Sequence, residues 1–248
     1  MSIFFKSKKY KKSWYGTTWD YLESLGIALI MALMIKTSVV EAYKIPSGSM
    51  ENTLLIGDFL LANKFIYGMR LPIPFIDIKL PAITDPKPGD IVIFKHIEPN
   101  KPPVNYIKRC IAVEGQTVEI KDKEVYVDGR LVPLPEHGKH EDAANKIPYN
   151  PGVQWGRRDN MPPIKVPPGK LFMMGDNRDN SYDSRYWGFL DRKEVLGRAL
   201  MIHWSLDSES NPPIVRKNDM LSLGKRIGFW IIHLPSRLRY QRLGQIIV

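Results

Sequence analysis

Hydrophobic and polar positions divide the chain into two regimes. Residues 22–40, LESLGIALIMALMIKTSVV, contain an unbroken apolar run from Leu25 to Ile35. Beyond residue 42 the apolar residues come in short bursts, and no 3.6-residue period persists. Residues 51–67 predict a turn followed by a strand, punctuated by Gly57-Asp58. A Pro-rich stretch at 68–88 reads as loop, after which Pro88-Gly89-Asp90 opens an apolar strand, IVIF, at 91–94. A second Pro-rich loop at 99–103 precedes a strand over 104–113. Two shorter strands, 117–121 and 124–127, flank a tight turn. Residues 128–170 read as loops with brief strands, in an insertion or second lobe. A buried strand at 171–174 runs straight into GDNRDNSYDSRYWG. Short strands and frequent turns predict a mostly β, antiparallel domain over 42–214.

Charge changes the picture once it is located. The 248 residues carry a net +10, yet residues 1–19 hold five Lys and no acid, and residues 215–248 hold seven Lys/Arg against Asp219. The segment between them is close to neutral. A nucleic-acid binder carries its basic surface on the folded domain, so charge at the two ends points to a membrane instead. As a helix, the 19 apolar-rich residues span about 28 Å, near the hydrocarbon thickness. Trp14, Tyr15, Trp19 and Tyr21 fit an interfacial belt, and the upstream lysines favour the cytoplasmic side. The expectation is a basic cytoplasmic segment (1–19), one transmembrane helix (20–41) and a domain outside. A buried amphipathic helix and a cleavable signal peptide ending at Ala42 are the competing readings. The anchor is preferred because the candidate chemistry begins only a few residues past Ala42. In the basic tail (215–248), IGFWIIHL is too short to span a bilayer. It either lies on the outer membrane face or packs as an ordinary C-terminal segment.

Composition narrows the chemistry. A hydrophobic fraction of 44% excludes wholesale disorder, and the single Cys110 excludes an intrachain disulfide and a Cys-based zinc site. Five scattered histidines show no HExxH spacing, and no phosphate-cradling glycine loop is present. Ile45-Pro46-Ser47-Gly48-Ser49-Met50 is either a plain turn or a nucleophile loop at the bilayer surface. On strand 104–113, alternation puts Lys108 on one face with Val104, Tyr106, Cys110 and Ala112. It is the only charge on that face. Either its stem packs while the ammonium reaches water, or burial lowers its pKa and makes it a general base. The loop 175–185 lacks the glycine and glutamate of a calcium loop, which leaves a hydrogen-bonded loop with Asp183–Arg185 and Asp176–Arg178 as candidate ion pairs.

Taken together, PSGSM, LLIGD (54–58), PGDIVIF (88–94), YIKR (106–109), GDNRDNSYDSRYWG (175–188) and Gly197-Arg198 resemble bacterial type I signal peptidases. These are membrane-anchored serine proteases with a Ser/Lys dyad. The resemblance implies Ser49 as nucleophile and Lys108 as general base, with Ser181 orienting the Lys108 amine. It implies an oxyanion hole from the Ser49 N–H and the Ser47 hydroxyl, and Asp183 and Arg185 as a supporting pair. Tyr43, Ile45, Pro46, Leu54, Leu60, Ile93, Tyr106 and Ile107 would line shallow pockets for small residues at −1 and −3 of a strand-like substrate. No metal or other cofactor is implied. The implied partners are signal-peptide-bearing pre-proteins and membrane lipid, beside the export machinery. The implied location is the bacterial cytoplasmic membrane, single-pass, with the N-terminus inside. The chain departs from the family in having Asn52-Thr53-Leu54 where Pro-Thr-Leu is usual, a change expected to loosen one turn. It also lacks the second transmembrane helix and the disulfide that some members carry.

Three other functions compete. A specialised Ser/Lys peptidase would serve one secretion system and accept few pre-proteins. A non-catalytic tethered module would not need Ser49, Lys108 and Ser181 together. A self-cleaving repressor would need a DNA-binding segment, and the anchor speaks against it.

Overall fold

The computed structural model describes residues 14–38, 40–68, 70–73, 76–79, 81–97, 102–153, 155–207, 228–229 and 232–247. The expected basic segment 1–19 therefore lies mostly outside the described residues, as does much of the tail. In chain order the elements are α1 (Trp14–Ser38), β1 (Val40–Lys44), β2 (Asp58–Asn63), β3 (Arg70–Ile73), β4 (Ile76–Lys79), β5 (Ile91–His96) and β6 (Val104–Val113). They continue as β7 (Thr117–Lys121), β8 (Glu124–Val127), β9 (Arg130–Val132), β10 (Met161–Lys165), β11 (Lys170–Met174), α2 (Ser184–Trp187), β12 (Leu190–Asp191) and β13 (Val195–Ser205). The fold is mostly β, and its named strand pairs are antiparallel.

A seven-stranded sheet, ordered β1-β2-β13-β5-β6-β11-β12, forms the body, and a four-stranded sheet, β10-β7-β8-β9, forms a second lobe. The unbroken IVIF run is explained by burial on both faces of β5. Ile91 and Ile93 enter a core with Met50, Leu54, Leu60 and Ile202, while Val92 and Phe94 enter another with Cys110, Leu171 and Met173. A third core joins the lobe to the body through Ile111, Val118, Val125 and Phe172.

Several expectations need correction. The Pro-rich stretch 68–88 is not all loop, because β3 and β4 pair as a two-stranded ribbon with Pro72 opposite Asp77. Among the described residues this ribbon has two free edges, where a proline costs no ladder bond. Helix α1 starts before residue 20 and stops at Ser38, and the chain is already extended at Val40. Its side chains Leu22, Leu25, Ile27, Leu29 and Met31 are exposed. Among the described residues, no helix is long and apolar enough to cross a membrane. Asn52 sits at φ 74°, a left-handed conformation that asparagine tolerates and a proline ring forbids. A proline could not adopt this turn.

The described end of the tail packs against the body. Met201 bridges Ile246, Leu206 bridges Leu238, and Ile247 is buried in the core below residues 50–54. Arg242 donates to both carboxylate oxygens of the fully buried Asp58 and, at 2.9 Å, to the Thr53 carbonyl. The basic residues Arg237, Arg239 and Arg242 are spent on protein partners. Of the apolar segment 227–234, residues 228–229 and 232–234 are described; they are helical, and Ile232 is exposed.

Candidate active site

The site forms where β1 ends. Ile45 stays tied to β2, donating its N–H to Asp58 and accepting from Gly57, and the chain then coils into a 3-10 turn, Gly48–Met50. Ser47 caps this turn without using its hydroxyl as the cap, and it is exposed. Met50 is buried in the core, which pins the turn from below and leaves Ser49 half-buried at the surface.

Lys108 reaches Ser49 from β6. Its Nζ lies 2.5 Å from Ser49 Oγ, and 5.5 Å from the ring centre of Tyr106 on the same strand face. The residue is only 4% exposed, so the snorkelling reading fails. Burial lowers its pKa from 10.5 to about 8. Asp183 and Asp176 pull it back up, and Arg185 opposes them. An amine that releases its proton near neutrality, within hydrogen-bond reach of a hydroxyl, can act as a base.

The loop after β11 closes over this pair. Asn177 donates its N–H to the Ser49 carbonyl and its side-chain amide to the Gly48 carbonyl. Gly175 packs so tightly that a Cβ there would lie 2.6 Å from Ser181 Cβ and would also collide with Ser181 Oγ and the Ser49 carbonyl. Ser181 is therefore beside Ser49, but its buried Oγ makes no hydrogen bond to Lys108. It lies instead within electrostatic reach of the Asp183 carboxylate. Asp183 and Arg185 pair in bidentate fashion at 2.8 Å with both groups buried. Asp183 also accepts from Gly175 N–H, and Arg185 donates to the Arg178 and Arg158 carbonyls. Burial pushes the Asp183 carboxyl up, but Arg185 together with the Gly175 N–H and the Ser181 hydroxyl holds the group below its usual range.

The other expected pair does not form. Asp176 takes the Arg109 guanidinium at 2.9 Å on both oxygens and accepts from Thr53 at 2.7 Å, while two nitrogens of the buried Arg178 are left without partners. Neighbours two apart in a loop need not face each other, whereas the β11–β6 register brings Met174 opposite Arg109, next to Asp176. This Thr53–Asp176–Arg109 network was missed. Its members are 67 and 123 residues apart, and no local signal links them.

A cleft of about 350 Å³ holds Ser47, Ser49 and Lys108. Of the expected pocket residues, Ile45, Pro46, Tyr106 and Ile107 line it. Tyr43, Leu54, Leu60 and Ile93 sit beneath it in the core, the last three fully buried. Hydrophobicity alone cannot separate a pocket wall from the core behind it. The lining that went unforeseen is Met50, Val104, Asn105, Trp155, Asn180 and Tyr182. The lobe contributes more than expected. Lys139 pairs backbone with Asn177 and salt-bridges Glu51, and Lys123, Arg158 and His140 converge on Asp179. Burial would raise the Asp179 pKa, but hydrogen bonds from Lys123, the Asp142 N–H and His140 hold it at about 2. Among the described residues, no cluster of three or more His, Cys, Asp or Glu could hold a metal ion.

Known proteins match the sequence along most of the chain. The family model described as signal peptidase, peptidase S26, matches residues 18–204. The signal peptidase I of Pseudomonas aeruginosa is 35% identical over 228 residues, covering 78% of this chain and 76% of its own. That of Pseudomonas fluorescens is 36% identical, covering 75% and 72%. A probable signal peptidase I-2 of Synechocystis is 36% identical, covering 80% and 79%. On this match the chain belongs to the signal peptidase family, peptidase S26, and is a serine endopeptidase.

Proposed function

We propose that this peptidase removes N-terminal signal peptides from exported pre-proteins, with Ser49 as nucleophile and Lys108 as general base. The observation that carries the reading is the 2.5 Å contact between Ser49 Oγ and an amine whose burial lowers its pKa to about 8. With the amine neutral, the hydroxyl donates to Nζ. Ser49 attacks the scissile carbonyl, its proton passes to Lys108, and the ammonium then protonates the leaving amine. Water activated by Lys108 releases the acyl-enzyme. The Ser49 N–H and the exposed Ser47 hydroxyl stabilise the oxyanion, a contribution of roughly 3–4 kcal/mol per donor in comparable sites. Ser181, packed against Gly175 beside Ser49, supports the amine's orientation. Asp183 and Arg185 hold its loop in place.

The substrate enters as an added strand, its small −1 and −3 side chains against Ile45, Pro46, Tyr106 and Ile107, which supports cleavage after Ala-x-Ala. The 42–214 unit works outside the bacterial cytoplasmic membrane, beside the export machinery, with residues 1–19 inside. The apolar run Leu25–Ile35 and the five upstream lysines support α1 as the anchor in lipid. Alkaline carbonate extraction tests this: retention with the membrane supports a span, and release overturns it.

The functional test uses the full-length chain in detergent with a pre-protein whose signal ends Ala-x-Ala. The new N-terminus is read by mass spectrometry beside Ser49→Ala and Lys108→Ala. A cut after the −1 Ala, lost in both variants, is the expected result. Cutting by Ser49→Ala would overturn the nucleophile, and no cut by folded wild type would overturn the substrate class.

A further inference from the structure

The lobe segment 139–160 has no part in the chemistry above, yet it delivers one side chain to the cleft. Trp155 lines the same cavity as Ser49 and Lys108, next to Asn180 and Tyr182. Its backbone lies in the left-handed region at φ 67°, which costs a bulky L-residue about 1–2 kcal/mol. A tight turn imposes this. Asn150 N–H donates to the Gly156 carbonyl at 2.8 Å, and a Cβ on Gly156 would strike the Asn150 main chain.

The surroundings hold the ring as well as the backbone. Trp155 meets Tyr186 edge-on with centroids 4.9 Å apart, and Tyr186 stacks on Tyr182 at 5.8 Å. Arg158 N–H donates to the Trp155 carbonyl, and the Arg158 carbonyl accepts from Arg185 Nη1 at 3.0 Å. The guanidinium that binds Asp183 therefore also positions the loop carrying Trp155. Strain kept at a site by this many contacts is characteristic of ligand-facing residues.

We propose that Trp155, with Tyr182, is the wall that receives substrate side chains after the scissile bond and selects apolar or aromatic residues there. The proposal rests on the Ser49/Lys108 reading. In that reading the residues before the bond occupy the Ile45, Pro46, Tyr106 and Ile107 side. Of the remaining lining, Val104 and Asn105 belong to β6, whereas Asn180 and Tyr182 sit on the loop that packs on Ser49 through Gly175 and Ser181, and Trp155 joins Tyr182 through Tyr186. Ring faces next to the reacting groups suit apolar side chains. No carboxylate lines the cleft among the described residues, so nothing there favours a basic residue.

The test uses the full-length chain in detergent and peptides with a fixed Ala-x-Ala before the bond and Gly, Leu or Phe at the two positions after it. A second set varies −1 and −3. Wild type should prefer Leu and Phe over Gly. Trp155→Ala should lower kcat/KM for the Leu and Phe peptides about five- to tenfold and leave the Gly peptides unchanged. Trp155→Phe should keep most of the preference, and selectivity at −1 and −3 should not move. A wild type indifferent to the residues after the bond, or a loss confined to −1 and −3, overturns the proposal. So does an equal loss on all peptides by a Trp155→Ala that melts at the wild-type temperature. If Trp155→Ala misfolds, Trp155→Gly, which suits the left-handed backbone, takes its place with the same expected loss on the Leu and Phe peptides. Cleavage by Ser49→Ala would instead sink the underlying site assignment. An inactive Ser49→Ala beside an unmoved preference in Trp155→Ala sinks the wall alone.

Discussion

Replacing Lys108 by Met should abolish cleavage and, at neutral pH, make the protein more stable. Met keeps a long unbranched side chain in the same space and removes the charge. In the unfolded chain the Lys108 amine holds its proton up to about 10.5, whereas in the folded protein burial makes it let go at about 8. Between those values the unfolded state binds more protons, so this group's contribution to stability rises with pH across the window and is lost as pH falls through 8. The gap is about 2.5 pH units at roughly 1.4 kcal/mol each, or about 3 kcal/mol of penalty at pH 7. Losing the hydrogen bond to Ser49 Oγ gives back about 1 kcal/mol. The variant should therefore be more stable by about 2 kcal/mol at pH 7, and its advantage should shrink by about 2 kcal/mol by pH 9.5. Urea unfolding of both full-length proteins in the same detergent, followed by tryptophan fluorescence, measures the difference. Taking the difference also removes Cys110, whose buried thiol is pushed up to about 12 and lowers stability above pH 9 in both proteins. An advantage that does not change with pH, or a Met variant less stable at pH 7, would refute a desolvated amine.

Three further outcomes are expected. With chemistry limiting, kcat/KM should rise about tenfold per pH unit below 8 and level off above it, because only about a tenth of Lys108 is neutral at pH 7; a flat profile from 6 to 9 would remove Lys108 as base. Gly175→Ala should lower kcat about a hundredfold or more with the fold retained, since the new methyl displaces Ser181 and the Ser49 carbonyl together; wild-type kcat would mean that this contact is not part of the working geometry. Arg242→Gln should cost about 3 kcal/mol in urea unfolding by leaving the buried Asp58 with only the more distant Arg239, at 3.9 Å; a loss under about 1 kcal/mol would mean that Arg239 and the bonds from Ser205 and Leu55 satisfy Asp58 without it.

Short-range order was legible in the chain. Alternation and turn residues located β5, β6, β7, β8 and β11 to within two residues, because backbone sterics and a period of two act between near neighbours. Lys108 stood out as the one charge on an apolar strand face, and the ordered blocks around it carried the family resemblance. What the chain alone left open is which distant groups meet. Ser49 and Lys108 are 59 residues apart, and only the sheet brings them to 2.5 Å and withdraws the amine from water. Asp176 was paired with the wrong arginine because local proximity was the only guide, while strand register chose Arg109. Leu54, Leu60 and Ile93 are as apolar as the cleft lining but lie under it. The basic tail and the lobe each became parts of the site's support, through Arg242 on Asp58 and Arg158 on Arg185. Local patterns are set by each residue's own backbone and neighbours. Burial, pairing and pKa depend on packing between segments far apart in sequence, which only the folded chain determines.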